Sequence, residues 1–435
     1  MPRLPLACAG VVIAALLVVS LPASAMADSV VRTIPIAVGP TVLAVTPDGS
    51  KVVSASLSNR LSVIDVATGT ETSPVALVGS AYNIAISRDG STAAVPTTDG
   101  YLYFVDTATS VINGPFSIDG YLFDADFSAD GTELYVTNGS SDVIVVSVAT
   151  HSEVRRYTLT ADPLYGIAVT PAGTGLVLTD PPNNRIVEAD AATGTITGLI
   201  PVSAQPTDVV LSPDGSRAYV RSLGTNLVDS VDLLLNTSTV IALGGGQIGG
   251  LAITPDGARL YVPRGFDEEI SVVDTSTLSL LAPVATGSAT RGIAISADGT
   301  TAFTGDIDFN NVLVIAIDRA PTLATSAPAA TVGAAYTFTP LTSGSPAPTY
   351  TLAGVLPAGL SFDAGVISGT PTQSGTSSLS ITATNGLGTA TQAYTLTVSA
   401  AAALAATGVS PLPLAASAGL LLVLGLALRR PRRVH

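Results

Sequence analysis

Few side chains in this chain of 435 residues are equipped for covalent chemistry. Its one cysteine, Cys8, stands near the N-terminus, and its two histidines are His151 and His435. A nucleophile activated by an imidazole would have to use His151, in "THSEVRR", which reads as an exposed turn between strands. No CxxC or HxxxH spacing occurs, and no Gly-rich phosphate loop opens a helix. What remains is oxygen chemistry. Asn83, Asp124 and Asp208 stand 41 and 84 residues apart, with Asp126 just beyond Asp124. Amide and carboxylate oxygens brought together in this way can hold a divalent cation or orient a polar ligand.

The spacing has a cause. An apolar run followed by a turn recurs seven times: "LAVTPDGS", "IAISRDGS", "ADFSADGT", "IAVTPAGT", "VVLSPDGS", "LAITPDGA" and "IAISADGT". The glycines are Gly49, Gly90, Gly131, Gly173, Gly215, Gly257 and Gly299, at a period of 41 or 42. Pro presets φ, Asp caps the turn through its side chain, and Gly takes the left-handed position. Asp48, Asp89, Asp130, Asp214, Asp256 and Asp298 therefore read as structural, and the fourth unit has Ala172 instead. A second apolar signature, such as "LSVIDVATGT", follows about sixteen residues later in each unit, with short β-rich runs between and after. Four strands per unit, seven times, describe an all-β, seven-bladed propeller. The phase also predicts closure: residues 31–36 complete the last blade beside 312–317.

Ligands of propellers bind at the channel mouth, where the innermost strands begin. Eight residues before the repeat glycines stand Tyr82, Phe123, Tyr165 and Arg291, with Thr41, Thr207 and Gly249 in the other units. One residue further on stand Asn83, Asp124 and Asp208. This ring suits a sugar, a peptide or a small polar ligand. Asp126 falls in a column that is otherwise Ala or Val, so its carboxylate needs a partner or a metal. "GGGQIGG" (244–250) falls between blades.

"ELYVTNGSSDVIVVSVAT" (133–150) resembles the YVTN family of β-propeller repeats, through Tyr135, Val136, Thr137 and Asn138. The resemblance covers residues 31–318 and implies the propeller fold. Its members include surface-layer proteins, binding propellers and some enzymes. Lactonase-like propellers hold a metal at the mouth, which here would fall to Asn83, Asp124, Asp126 and Asp208. They also rely on Glu and His near the metal, and this chain has neither at the matching positions. No metal or other cofactor is expected.

The remaining segments place the propeller. Residues 1–27 read as a secretory signal: Arg3, an apolar core, then "ASA" or "AMA" before the cut. The chain after it has no cysteine and hence no disulfide. Net charge is −14, and setting aside Arg3 and four tail arginines leaves 13 basic against 32 acidic residues. That surface repels nucleic acid and anionic lipid. Composition turns Thr/Ser/Gly/Pro-rich over 319–399, with alternating strands that indicate a β-sandwich. There, "LPAGLSFDAGVISGTPTQSGT" resembles an Ig-like repeat of bacterial surface proteins. Cadherin-like relatives bind Ca²⁺, but Asp363 is the single acid between 319 and 400, too few oxygens for that ion.

A linker over 400–408 carries "LAATG": Leu404, Ala405, Ala406, Thr407 and Gly408. An apolar run (409–428), expected as a C-terminal helix, and a basic tail (429–435) follow. The order resembles an LAxTG sortase sorting signal of high-GC Gram-positive bacteria. That family's chemistry implies cleavage between Thr407 and Gly408 and transfer to peptidoglycan, with sortase as the partner. The same order also satisfies a plain membrane anchor, with the arginines on the cytoplasmic side. The expectation is a surface-displayed binding or adhesion propeller on an Ig-like stalk, with a protein or glycan ligand. The alternatives are a metal-dependent extracellular hydrolase and a passive surface-layer component.

Overall fold

The computed structural model describes residues 28–401 except Leu57. Residues 28–318 form seven sheets, each an antiparallel meander of four consecutive strand positions. Blade 3 is typical, with strands Asp124–Phe127, Glu133–Thr137, Asp142–Ser147 and Ser152–Thr158. The innermost strands pack one against the next around a channel, and the seventh, Thr290–Ile295, returns to the first, Val42–Val45. Together they make a closed seven-bladed propeller. Its core lies between blades. Phe104 and Leu102 of blade 2, for example, pack against Phe127, Leu134, Val136 and Ile144 of blade 3. In blades 1 and 6 the outer strand is split into two short pieces, Thr70–Glu71 with Val75–Ala76 and Ser279–Leu280 with Val284–Ala285.

The last blade takes its outer strand from the start of the chain. Ser29–Pro35 pairs antiparallel with Asn311–Ala316, Ser29 opposite Ala316 and Pro35 opposite Asn311. This pairing leaves neither blade end of the ring with an open inner seam.

The turn after each innermost strand shows why its residues recur. Ser87 Oγ donates to Asp89 Oδ1 (2.7 Å), which also accepts the Ser91 amide (3.0 Å). Ser87 Oγ in turn accepts the Thr92 amide (3.0 Å) that opens the second strand. The corresponding Thr or Ser does the same in every unit. In the fourth, Ala172 replaces the aspartate and the Gly173 amide still closes on Thr170 O (2.7 Å). The glycines have positive φ, and neighbouring turns interlock. A Cβ on Gly90 (φ 74°) would stand 2.7 Å from the Pro47 ring of the preceding blade. Gly215 and Gly257 meet Pro171 and Pro213 in the same way. Gly131 has open space: blade 2 carries Arg88 where blades 1, 4, 5 and 6 carry Pro.

These interlocked turns form one face of the propeller, called here the turn face. The other, where innermost strands begin, is the mouth face. The chain leaves the propeller on the turn face. There, Arg319 donates to Asp298 O (2.8 Å) and pairs with Asp256 Oδ2 (2.5 Å), its guanidinium lying over Gly299.

Residues from Arg319 onward form a β-sandwich. One sheet orders Ala330–Thr331, Gly388–Ser399, Gly375–Asn385 and Thr349–Gly354, and the facing sheet Tyr336–Phe338, Val366–Gly369 and Leu360–Asp363. A two-stranded ribbon joins Arg319–Leu323 to Leu341–Ser345. Between the sheets Phe338 meets Tyr394 edge-on at 5.3 Å, with Ile367, Ile381 and Leu396 fully buried. Among the described residues no helix is long and apolar enough to cross a membrane. The secretory signal, the LAATG motif with Thr407 and Gly408, and the expected apolar helix lie outside the described residues.

Candidate functional site

The mouth residues chosen by repeat position fall into two groups. Tyr82, Phe123 and Tyr165 come together as a ladder of rings across the entries to blades 2, 3 and 4. Phe123 and Tyr165 stack at 4.3 Å with an interplanar angle of 11°, and Tyr82 stacks on Phe123 at 5.9 Å. Tyr121 joins at 6.2 Å from Phe123. Phe123 lies on the tight turn of blade 3, where a side chain at Gly139 (φ 64°) would come within 2.7 Å of its ring. Arg291 stands apart on blade 7, its carbonyl accepting the Gly250 amide (2.9 Å). It does not join the aromatic group.

The polar group lies beneath the ladder. Asp124 is buried. Its Oδ1 accepts the Asn83 amide of blade 2 and the Ala125 backbone N–H (2.7 Å), and its Oδ2 accepts the Ile167 N–H of blade 4 (2.9 Å). Asp126 Oδ1 accepts the Phe127 N–H (2.8 Å), and Oδ2 accepts the Val169 N–H of blade 4 (2.8 Å). The partner that Asp126 needed is thus the backbone of the next blade. Thr137 Oγ1 adds a bond to Tyr165 O across the same seam. Asp208 faces Arg221 at 3.7 Å.

Burial pushes the Asp124 carboxyl up to about 7, helped by the charge of Asp208 and opposed by the N–H donors around it. Burial pushes Asp126 up to about 6, opposed by its two backbone donors and by Arg88. Asp126 still presents one edge to a channel cavity of about 490 Å³, walled by Ile84, Ile167, Val169 and Val209. Arg88 closes the turn-face end of that cavity. Its guanidinium spans blade 3 to reach Pro171 O (2.9 Å) and Thr170 O (3.2 Å) on blade 4.

The ring faces offer stacking and the carboxylates knit blades 2, 3 and 4 into one support. Both oxygens of Asp124 and of Asp126 are already held by N–H donors. Among the described residues no cluster of three or more His, Cys, Asp and Glu side chains could hold a metal ion. His151 departs from its sequence reading. It lies in a turn, but half-buried, stacked on Phe104 (4.5 Å) and tilted against Phe116 (4.3 Å) of blade 2. Blade 2 offers two aromatic side chains at that seam, so the imidazole packs rather than projects.

Sequence reasoning missed Tyr121, two positions before Phe123, because it lies before the positions where the innermost strands begin. Its column otherwise holds Gly39, Ser80, Pro163, Gln205, Gln247 and Ala289, so the aromatic would have stood out. It also missed Phe266 and Phe309, exposed at hairpin tips of blades 6 and 7 on the same face.

Comparison with known proteins agrees with both modules. The family described as "Putative Ig domain" matches residues 320–399. Hydrazine synthase of Kuenenia stuttgartiensis is similar in structure, with a TM-score of 0.57 and 20% identity, over 64% of this chain and 96% of that one. The Cps50 (Swd1) β-propeller domain of Myceliophteria thermophila is similar with a TM-score of 0.58 and 12% identity, over 67% of this chain and 99% of that one. At such identities the likeness is one of fold. No curated protein sequence matches the chain.

Proposed function

We propose that this chain is a secreted binding or adhesion protein, displayed at the bacterial surface, that takes its ligand at the mouth face of the propeller. A propeller with an Ig-like module is compatible with such a role. One observation carries the reading: the aromatic ladder of Tyr82, Phe123 and Tyr165 opens on the face opposite the one where the chain leaves for the Ig-like module. A stalk on the turn face leaves the mouth free to meet a partner. The carboxylates beneath serve as braces, since each already accepts N–H donors from neighbouring blades.

In this reading the repeats are of the YVTN type, and LAATG is the sorting motif by which sortase joins Thr407 to peptidoglycan. The protein then works in the cell wall of a high-GC Gram-positive bacterium, after its apolar run has held it in the membrane for processing. Mass spectrometry of wall-released protein should find Thr407 as the last residue. Arg433 on the mature surface form would replace the wall anchor with a membrane anchor.

A screen of immobilised glycans and proteins against the full secreted chain tests the binding role. Capture that is lost in Phe123→Ala supports it. Hydrolysis of lactones or esters together with stoichiometric metal would favour the hydrolase instead. Self-assembly into sheets without any ligand would favour the surface layer.

A further inference from the structure

The aromatic ladder is the centre of a wider exposed surface. On the mouth face Tyr82 is 55% and Tyr121 59% exposed, and Phe266 and Phe309 at the hairpin tips are 70% and 68% exposed. Exposed aromatic rings grouped on one face of a secreted protein mark a contact surface. Its charge decides what kind of contact. Asp99 packs its Cβ against Gly79, on the loop that leads to Tyr82. Asp119 is two residues before Tyr121, and its side chain is 79% exposed with one oxygen 3.4 Å from Arg156. Asp162 is three residues before Tyr165 and accepts the Asn183 side-chain amide (2.9 Å). Arg156 is shared among Glu153, Asp142 and Asp119, Arg185 pairs with Asp180, and Arg264 pairs with Asp267 and Glu269.

Aromatic faces bordered by exposed carboxylates favour cations. A guanidinium stacks on a ring within about 6 Å of its centroid and pairs with a carboxylate at its edge. A sugar gains from the rings but nothing from the negative field.

We propose that the mouth face over blades 2, 3 and 4 docks a basic, Arg- or Lys-bearing segment of a protein partner. The rings of Tyr82, Tyr121 and Phe123 take the cationic side chains, and Asp99, Asp119 and Asp162 take their charge. This rests on the binding role proposed above and gives it a ligand class. Phe266 and Phe309 widen the platform on the far side of the mouth.

Fluorescein-labelled octa-arginine is titrated with the full secreted chain by fluorescence anisotropy at about 0.15 M salt. The protein is acidic throughout, so the variants compared leave its charge unchanged. Tyr82→Ala with Tyr121→Ala is expected to weaken binding about tenfold. Leu234→Ala with Leu235→Ala, at 85% and 68% exposed positions on the turn face, is expected to leave it unchanged. Equal affinity of the mouth variant and the unaltered chain would overturn the proposal, as would no binding by the unaltered chain. The same proteins are then tested on an array of neutral glycans. Glycan capture that the mouth variant loses would leave the binding role standing and the cationic class overturned. Absence of both activities would overturn both.

Discussion

Asp28 and Tyr261 are joined by a hydrogen bond across 233 residues of chain. Arg259 pairs with the same carboxylate (3.2 Å), and the Asp318 N–H donates to it (2.7 Å). The first described residue is thus fastened to blade 6 and to the end of blade 7 at once, and the strand it begins closes the ring.

Asp28→Ala should therefore destabilise the propeller. It leaves Tyr261 and Arg259 without their acceptor, at a cost of about 1–3 kcal/mol for stranded polar groups. Urea unfolding followed by circular dichroism measures it, and an unchanged midpoint would show that the clasp contributes nothing.

Stability should rise as pH falls from about 8 to about 5. The folded values of Asp124 and Asp126, about 7 and about 6, lie above the roughly 3.9 of an unfolded aspartate. Groups raised in this way give stability that is full below the unfolded value and fades as pH climbs through the folded one. The turn aspartates act in the opposite sense. Hydrogen bonds from Ser128 and Ser212 help hold Asp130 and Asp214 down to about 2. Their share is present above the unfolded value and lost toward pH 2. Thermal melts across this range should peak between roughly pH 4 and 6. A flat profile above that peak would contradict it.

Asp124→Asn should lower stability by about 1–3 kcal/mol near neutral pH, because an amide NH2 then opposes either the Ile167 N–H or the Asn83 and Ala125 donors. It should also shrink the slope between roughly pH 4 and 7, leaving the part due to Asp126. A variant as stable as the unaltered chain, with the slope intact, would remove Asp124 from the account.

Two glycine substitutions separate backbone conformation from interlocking. Gly131→Ala meets open space and carries only the strain of φ 71°, about 1 kcal/mol. Gly90→Ala carries similar strain and also drives its Cβ to 2.7 Å from Pro47, adding about 1–3 kcal/mol of overpacking. Denaturation midpoints should rank Gly90→Ala clearly below Gly131→Ala, and equal midpoints would show that the turns do not bear on one another.

The ring was legible because the blades repeat the same local chemistry: a Ser or Thr, a left-handed Gly and, in all but the fourth, a capping Asp fix each turn without help from distant residues. The outer strand from Ser29–Pro35 followed from the phase of that repeat. The ladder was legible as three positions, but its stacking was not, because ring-to-ring distance depends on how neighbouring blades meet. The role of Asp126 was hidden for the same reason: Val169 lies 43 residues away, and only the fold brings its N–H to the carboxylate. His151 misled because a polar residue in a turn normally faces water, whereas Phe104 and Phe116 were there to cover it.

Since the sandwich continues from Asp318, tension on that module enters the propeller at the end of Asn311–Ala316. That strand is central in its sheet, held by Thr301–Asp306 on one side and Ser29–Pro35 on the other. A pull along its axis loads both ladders in shear, so their hydrogen bonds must fail together rather than unzip singly. The joint that completes the ring is thus also the one through which a pull on the sandwich would pass.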